Sequence, residues 1–130
     1  GNHRMGLYDM IMIKDNHVDM AGGIVPAIDA VWNYLQDHGL ELEIEIEVRN
    51  LEELEIVLRR GGVDRIMLDN FSLPELKMAV ERIGGGYETE ASGGITEENI
   101  LAVAETGVDY ISVGALTHQI ESLDMSLKAY

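Results

Sequence analysis

Hydrophobic and polar positions along this chain fall into alternating strand-like and helix-like stretches with short connections. The first strand candidate covers residues 8–13, and a looser stretch, 18–23, follows. Over residues 26–38, Ile28, Val31, Trp32 and Leu35 recur at the i, i+3, i+4, i+7 spacing of one helix face. Pro26 suits the first turn of that helix and Gly39 the position just past its end. LEIEIEV, residues 42–48, alternates strictly and reads as a second strand. Asn50 followed by Glu53 reads as a helix cap with an acidic third position, opening a helix that runs to about residue 60, where Gly61 and Gly62 stop it. A third strand is expected at 65–68. Ser72 with Glu75 marks a second capping box, for a helix ending near residue 83. A fourth strand at 87–91 leads through Ser-Gly-Gly to a helix capped by Thr96 and ending at Gly107. A fifth strand at 109–113 and a last helix at 123–130 complete the pattern.

Strand starts after the second recur at roughly 22 residues, the length of a compact βα unit. No internal sequence repeat, low-complexity segment or interdomain linker is evident. Five βα steps without a hairpin signal imply a parallel sheet in an α/β fold, either an open doubly wound sheet or a barrel. LEIEIEV bears on the choice. A strand covered by helices on both faces reads as an unbroken apolar run, but here Glu43, Glu45 and Glu47 share one face. A barrel lumen near a polar site accepts carboxylates more readily; a solvated edge strand is the other reading.

At 130 residues the chain is one domain at most. A net charge of −15 leaves no basic stripe to displace phosphate counterions, which argues against a nucleic-acid partner. With no cysteine there is neither a disulfide framework nor a thiolate metal site, and a reducing cytoplasm is compatible with that. No apolar run approaches the roughly 20 residues of a membrane span, and no signal-like leader opens the chain. No membrane partner and a cytoplasmic location are therefore expected.

Ligands of parallel β/α folds bind at the C-terminal ends of the strands. The strand ends here carry Lys14-Asp15-Asn16-His17, then Glu47, then Asp69-Asn70, then Ser92-Gly93-Gly94, and finally Gly114 with Thr117 and His118 beyond it. Two glycine-containing turns in successive units suit phosphate, since glycine lets an anion approach the backbone and a helix N-terminus offers free N–H groups. Tight turns alone would also use glycine. Glu47 and Asp69 suit ribose hydroxyls or magnesium, or else simply complement the next helix. Lys14 is an anion ligand or a solvated lysine. His3 and Arg4 lie before the first strand, and eleven residues span roughly 36 Å extended, so they meet Lys14 only if the chain turns near Gly6. These residues point to a barrel-like site for a phosphorylated ribose compound and an anionic partner.

NHRMGLYDMIMIKDNH, EIEVRNLEEL, IMLDNFS, ETEASGGIT and AETGVDYISVGALTH together resemble, in order and over essentially the whole chain, the C-terminal part of the quinolinate phosphoribosyltransferase family. The resemblance implies a type II phosphoribosyltransferase barrel, of which residues 1–130 are the C-terminal part of the catalytic domain. It implies transfer of phosphoribose from phosphoribosyl pyrophosphate to quinolinate, with magnesium, giving nicotinate mononucleotide, pyrophosphate and carbon dioxide in de novo NAD synthesis. His3, Arg4 and Lys14 match positions lining the quinolinate pocket. Glu47 and Asp69 match the acidic pair near ribose and magnesium. Ser92, Gly93, Gly94, Gly114 and His118 match the 5′-phosphate cradle, and Asp15 lies in the same motif as Lys14. The family also carries an N-terminal domain, a first barrel strand with a Thr-Arg-Lys-Thr motif, and a further cation from the partner subunit of a dimer. Its barrels are six-stranded against the five strands counted here. A homodimer or higher homo-oligomer is thus implied, and this chain is expected to be a C-terminal fragment with little activity alone. A non-catalytic phosphate-binding or assembly fragment is one alternative. A related molybdenum-associated protein is another, which the intact His-Arg and Lys set disfavours.

Overall fold

A computed structural model describes residues 10–114 and 116–120. In chain order the elements are β1 (Met10–Ile13), α1 (Asp15–Ala21), α2 (Ile24–Asp37), β2 (Glu43–Val48), α3 (Leu51–Arg60) and β3 (Arg65–Asp69). They continue with α4 (Leu73–Ile83), β4 (Glu88–Ser92), α5 (Ile100–Glu105), β5 (Tyr110–Val113) and β6 (Leu116–Gln119). The strands form one sheet in the order β1-β2-β3-β4-β5-β6; the first four pairings are parallel and the last is antiparallel. The result is a half-barrel; the βα rhythm alone left an open sheet and a barrel as alternatives, and the family resemblance implied the barrel. The proposed helix at 123–130 and residues 8 and 9 of the first strand lie outside the described residues.

Register explains the two faces of the sheet. Ile13, Ile46, Ile66 and Thr89 are successive ladder partners, as are Val48, Leu68, Ala91 and Ile111. All eight are buried. The seven apolar ones pack with Ile28 of α2, Leu54 and Val57 of α3, Ala79 of α4 and Val103 of α5 in one continuous core. Because strand side chains alternate between faces, the intervening residues share the opposite, concave face. One row there is Met12, Glu45, Arg65 and Glu88; the next runs Glu47, Met67, Glu90 and Tyr110; Asp69 pairs with Ser92 above them. β2 lies between β1 and β3, so LEIEIEV is not a solvated edge strand, and its central Glu45 is buried on the concave side.

Local chemistry sets the boundaries. Asn50 Oδ1 accepts the Glu53 N–H at 2.8 Å and caps α3. Ser72 and Glu75 exchange hydrogen bonds as a full capping box on α4. Gly39 follows α2 with φ +62°, the left-handed conformation that glycine adopts without a steric penalty. A Gly-Val-Asp triplet occurs twice, at Gly62-Val63-Asp64 and Gly107-Val108-Asp109. Each valine is buried, and each aspartate accepts a backbone N–H twenty residues upstream: Ile44 to Asp64 Oδ2 at 2.8 Å and Thr89 to Asp109 Oδ2 at 2.9 Å. The triplet is a small repeated device that pins the start of one strand to its neighbour.

Three elements depart from the sequence reading. The helix expected to be capped by Thr96 begins only at Ile100, with Asn99 at its N-cap, because the Thr96 N–H is taken up by Asn99 Oδ1 in the preceding turn. The stretch 18–23 is not loose, because α1 occupies Asp15–Ala21 and ends on Gly22 at φ +96°. The segment after β5 is not solely a turn. It folds back from Gly114 as β6, a sixth strand added by a hairpin and not by a βα step.

Candidate active site

The C-terminal ends of β1 to β4 bring the predicted residues together in sequence. Lys14 sits at the N-cap of α1 and is exposed. Its backbone N–H donates to His17 Nδ1 at 3.1 Å. Glu47, at the end of β2, accepts the Asp15 N–H through Oε1 at 2.9 Å, so the first turn of α1 is tied to the carboxylate strand end. Asp15 and Asp69 repel each other: the Asp69 carboxyl is raised above the usual carboxylate range, first by burial and then by the Asp15 charge. Asp69 in turn touches the glycine loop. A Cβ on Gly93 would lie 3.1 Å from Asp69 Oδ1 and 3.1 Å from the Asn70 nitrogen. Gly93 is therefore required both by its φ of +84° and by this close approach.

Arg49, just past β2, is taken up by acids of two helices. Its guanidinium reaches Glu53 Oε2 at 2.7 Å and Asp19 Oδ1 at 3.1 Å. These bonds raise the Arg49 pKa, and Arg49 holds the Glu53 carboxyl below its ordinary value. The arrangement clamps α1 to α3.

The far side of the site is less gathered. Gly114 follows β5 with φ +62°, next to the loop after β4. His118 lies within β6 opposite Ile111. Directly opposed residues of an antiparallel pair share a face, so His118 is on the helix-covered side. Ser112 and Thr117 occupy the concave side, with their hydroxyl oxygens 3.0 Å apart. His118 is thus not brought beside Ser92, Gly93 and Gly94. His3 and Arg4 lie outside the described residues.

Beneath the strand ends the concave face carries a polar network that the sequence reading passed over. Arg65, 7% exposed, reaches Glu88 Oε1 at 3.4 Å and Glu90 Oε1 at 3.5 Å. Its guanidinium carbon stands 3.7 Å from the centre of the Tyr110 ring. Tyr110 donates to Glu88 Oε2 at 3.3 Å, and Ser112 Oγ donates to Glu90 Oε2. Glu45 is 2% exposed, and its Oε2 has no hydrogen-bond partner among the described residues. Its pKa is pushed up to about 9, first by burial, then by its hydrogen bond with Glu90 and that group's charge, with Arg65 opposing. The signal was available: Glu88, Glu90 and Ser92 alternate as strictly as Glu43, Glu45 and Glu47. A cavity of about 150 Å³ opens on the other side of the glycine loop, lined by Leu68, Phe71, Leu76, Ser92, Gly93 and Asn99 among others.

A half-barrel with carboxylates, a lysine and a glycine loop at one strand end is the layout of a β/α barrel site for a phosphorylated ligand. Comparison with known proteins then gives the family. Residues 1–128 match the family described as quinolinate phosphoribosyl transferase, C-terminal domain, and the chain belongs to it. An Arabidopsis thaliana relative, the chloroplastic nicotinate-nucleotide pyrophosphorylase (carboxylating), is 49% identical over 141 residues, covering 98% of this chain and 40% of its own length. A Nicotiana glauca relative named quinolinate phosphoribosyltransferase (decarboxylating) 2, mitochondrial, is 47% identical with the same coverage. The solved nicotinate-nucleotide pyrophosphorylase from Francisella tularensis superposes with a TM-score of 0.74 at 42% identity, over 92% of this chain and 41% of that one. The chain therefore spans about 40% of the length of these relatives. Among the described residues no helix is long and apolar enough to cross a membrane.

Proposed function

We propose that this chain forms the C-terminal part of the catalytic barrel of an enzyme that transfers phosphoribose from phosphoribosyl pyrophosphate to quinolinate, with decarboxylation. The observation that carries the reading is the direct abutment of the acidic strand end on the glycine loop, Asp69 Oδ1 against Gly93. A phosphoribosyl group needs both within the length of one sugar. Ser92, Gly93 and Gly94 take the 5′-phosphate, with Gly114 after β5 flanking them; His118, which lies in β6 opposite Ile111, is left out of this cradle. Glu47 and Asp69 face the ribose. Lys14, with His3 and Arg4, takes the quinolinate dianion, where an arginine grips a carboxylate bidentately.

In the reaction the ring nitrogen bonds to the anomeric carbon as pyrophosphate leaves with the bonding electrons. Positive charge develops on the sugar, and the carboxylates of Glu47 and Asp69 stabilise it in place of solvent. Carbon dioxide departs afterwards, its electrons held at the carbon beside the pyridinium nitrogen until a proton is taken up. Asp15, bound to Glu47 through its N–H and repelling Asp69, sets the spacing of the acidic pair.

Magnesium belongs to the same proposal. It takes oxygen ligands, keeps several waters and is bound through one or two carboxylates together with substrate phosphates. Glu47 and Asp69 fit that donor set, and a cation there would offset the burial, and after it the Asp15 charge, that raise Asp69. Among the described residues no group of three His, Cys, Asp or Glu is arranged to hold a metal ion, so the pair would share the ion with the pyrophosphate. When bound, the ion neutralises charge on the leaving group.

We further propose a homodimer or larger homo-oligomer, the assembly that the family resemblance implies, with a further cation supplied by the partner subunit. A cytoplasmic location is the matching proposal; plant relatives carry chloroplastic and mitochondrial names. The test is a steady-state assay of the complete gene product for quinolinate-dependent release of pyrophosphate and carbon dioxide. The 130-residue chain alone is expected to turn over little, since a dianion needs more positive charge than Lys14, His3 and Arg4 provide. Phosphate binding without any turnover by the complete product would favour the non-catalytic reading.

A further inference from the structure

Asn70 is the one non-glycine residue with positive φ among the described residues, at +59°. It follows Asp69 directly and faces the glycine loop. Its backbone N–H donates to the Ser92 carbonyl at 2.7 Å, carrying the β3–β4 ladder one step beyond the strands. The space that a Gly93 side chain would need is filled by the Asn70 nitrogen and α-carbon and by Asp69 Oδ1, at 3.1, 3.3 and 3.1 Å. A Cβ on Gly94 would stand 3.3 Å from Asn70 Oδ1. The other flank of the loop is held by Asn99, whose Nδ2 donates to the Gly94 carbonyl at 2.8 Å while its Oδ1 accepts the Thr96 N–H at 2.8 Å. The glycine loop is thus seated on the Asp69–Asn70 turn, and that turn exists in this form only while residue 70 is left-handed.

We propose that Asn70 is a positioning residue whose left-handed backbone locks the loop carrying Asp69 onto the loop carrying Ser92, Gly93 and Gly94. The acidic and phosphate-binding halves of the site then move as one unit. This rests on the phosphoribosyl-transfer reading and extends it to a residue that the reading gives no contact with substrate. Asparagine suits the position because its short polar side chain tolerates the left-handed region, where other L-residues with a Cβ meet the following carbonyl. The quinolinate half of the site, at β1, lies outside this contact.

The test compares wild type, Asn70→Ala and Asn70→Gly in the complete gene product. Steady-state kinetics give KM and kcat for phosphoribosyl pyrophosphate, and direct titration gives Kd for quinolinate. Asn70→Ala is expected to raise KM for phosphoribosyl pyrophosphate about tenfold, the size of a left-handed backbone cost expressed as a ratio. Its quinolinate Kd is expected to stay within about twofold. Asn70→Gly, which restores left-handed freedom without the side chain, is expected to recover most of the loss. Should Asn70→Ala fail to fold, Asn70→Ser takes its place in the same contrast. The inference is overturned by an unchanged KM in the alanine variant, by equal loss in the alanine and glycine variants, or by an equal rise in quinolinate Kd. Wild type that binds neither ligand removes the phosphoribosyl reading and this inference with it; wild type that binds both, with an indifferent alanine variant, removes the inference alone.

Discussion

Glu47 Oε1 accepts the backbone N–H of Asp15 at 2.9 Å, so a carboxylate at the end of β2 caps the helix that begins beside Lys14. The same side chain is thus structural through one oxygen and available to a ligand through its charge. The two roles separate on substitution. Glu47→Gln keeps an acceptor for Asp15 and loses the charge, whereas Glu47→Ala loses both. Urea denaturation should show Glu47→Ala destabilised by about 1 kcal/mol and Glu47→Gln by less. Turnover should fall about a hundredfold in both, because charge on the sugar meets no carboxylate in either. A Glu47→Gln enzyme with wild-type kcat would leave Glu47 as a helix cap and nothing more.

Gly93 and Gly22 are both left-handed, at φ +84° and +96°, but a Cβ on Gly22 meets nothing within 4 Å. Gly22→Ala should therefore cost about 1 kcal/mol, the backbone term alone. Gly93→Ala adds displacement of Asp69 and Asn70 and should cost about 2 to 3 kcal/mol. Its KM for phosphoribosyl pyrophosphate should also rise, while Gly22→Ala leaves KM unchanged. Equal stability losses for the two would show that the Asp69–Asn70 turn yields easily.

Local signals were strong where a single residue carries the physics. Asn50, Ser72 with Glu75, Gly39 and Gly61 mark helix ends by chemistry that acts over a few residues, and the structure uses each of them. α1 was not legible because Val18 is its single buried residue, which leaves no periodic apolar face, and its first turn is held by Glu47 from 32 positions away. β6 was not legible because Gly114 serves equally as a phosphate-loop glycine and as a turn into a hairpin. Pairing with β5 then put His118 on the Ile111 face, which strand-end reasoning does not reveal. Strict alternation exposed the glutamates of β2, but not that Arg65 and Tyr110 would come from two other strands to meet Glu88 and Glu90.

Arg4→Ala in the complete gene product should weaken quinolinate by about tenfold or more while leaving phosphoribosyl pyrophosphate nearly unaffected, because a bidentate carboxylate grip is lost on one ligand only. Titration of each ligand separately checks this. Equal losses would assign Arg4 to a position shared by both.

Arg65 is buried against Glu90, itself 2% exposed, and against Glu88 and the Tyr110 ring. Truncating one partner of a buried ion pair leaves the other charged group without compensation, which costs more than the pair itself contributes. Arg65→Met should destabilise the full chain by about 3 kcal/mol. Adding Glu90→Gln should recover part of that loss, because the stranded charge is removed. A double variant no more stable than Arg65→Met would mean that packing of the guanidinium on Tyr110, not charge compensation, is what the arginine supplies.

The raised pKa of Glu45 makes stability depend on pH in a stated direction. Its folded-state value of about 9 lies above its ordinary 4.5. Between those limits the folded chain retains a proton that the unfolded chain releases, so rising pH favours unfolding. The stabilisation is complete below the ordinary value and is lost as pH climbs through the folded one. One proton sets an upper limit of about 1.4 kcal/mol per pH unit, and sharing that proton with Glu90 reduces it. Glu45→Gln fixes the neutral form, keeps a donor toward Glu90 and removes the titration. Urea midpoints measured from about pH 5 to about pH 9 should fall in wild type and fall less steeply in Glu45→Gln, which becomes the more stable of the two at the alkaline end. Parallel slopes in the two proteins would place the pH dependence elsewhere and leave Glu45 ionised in the folded chain.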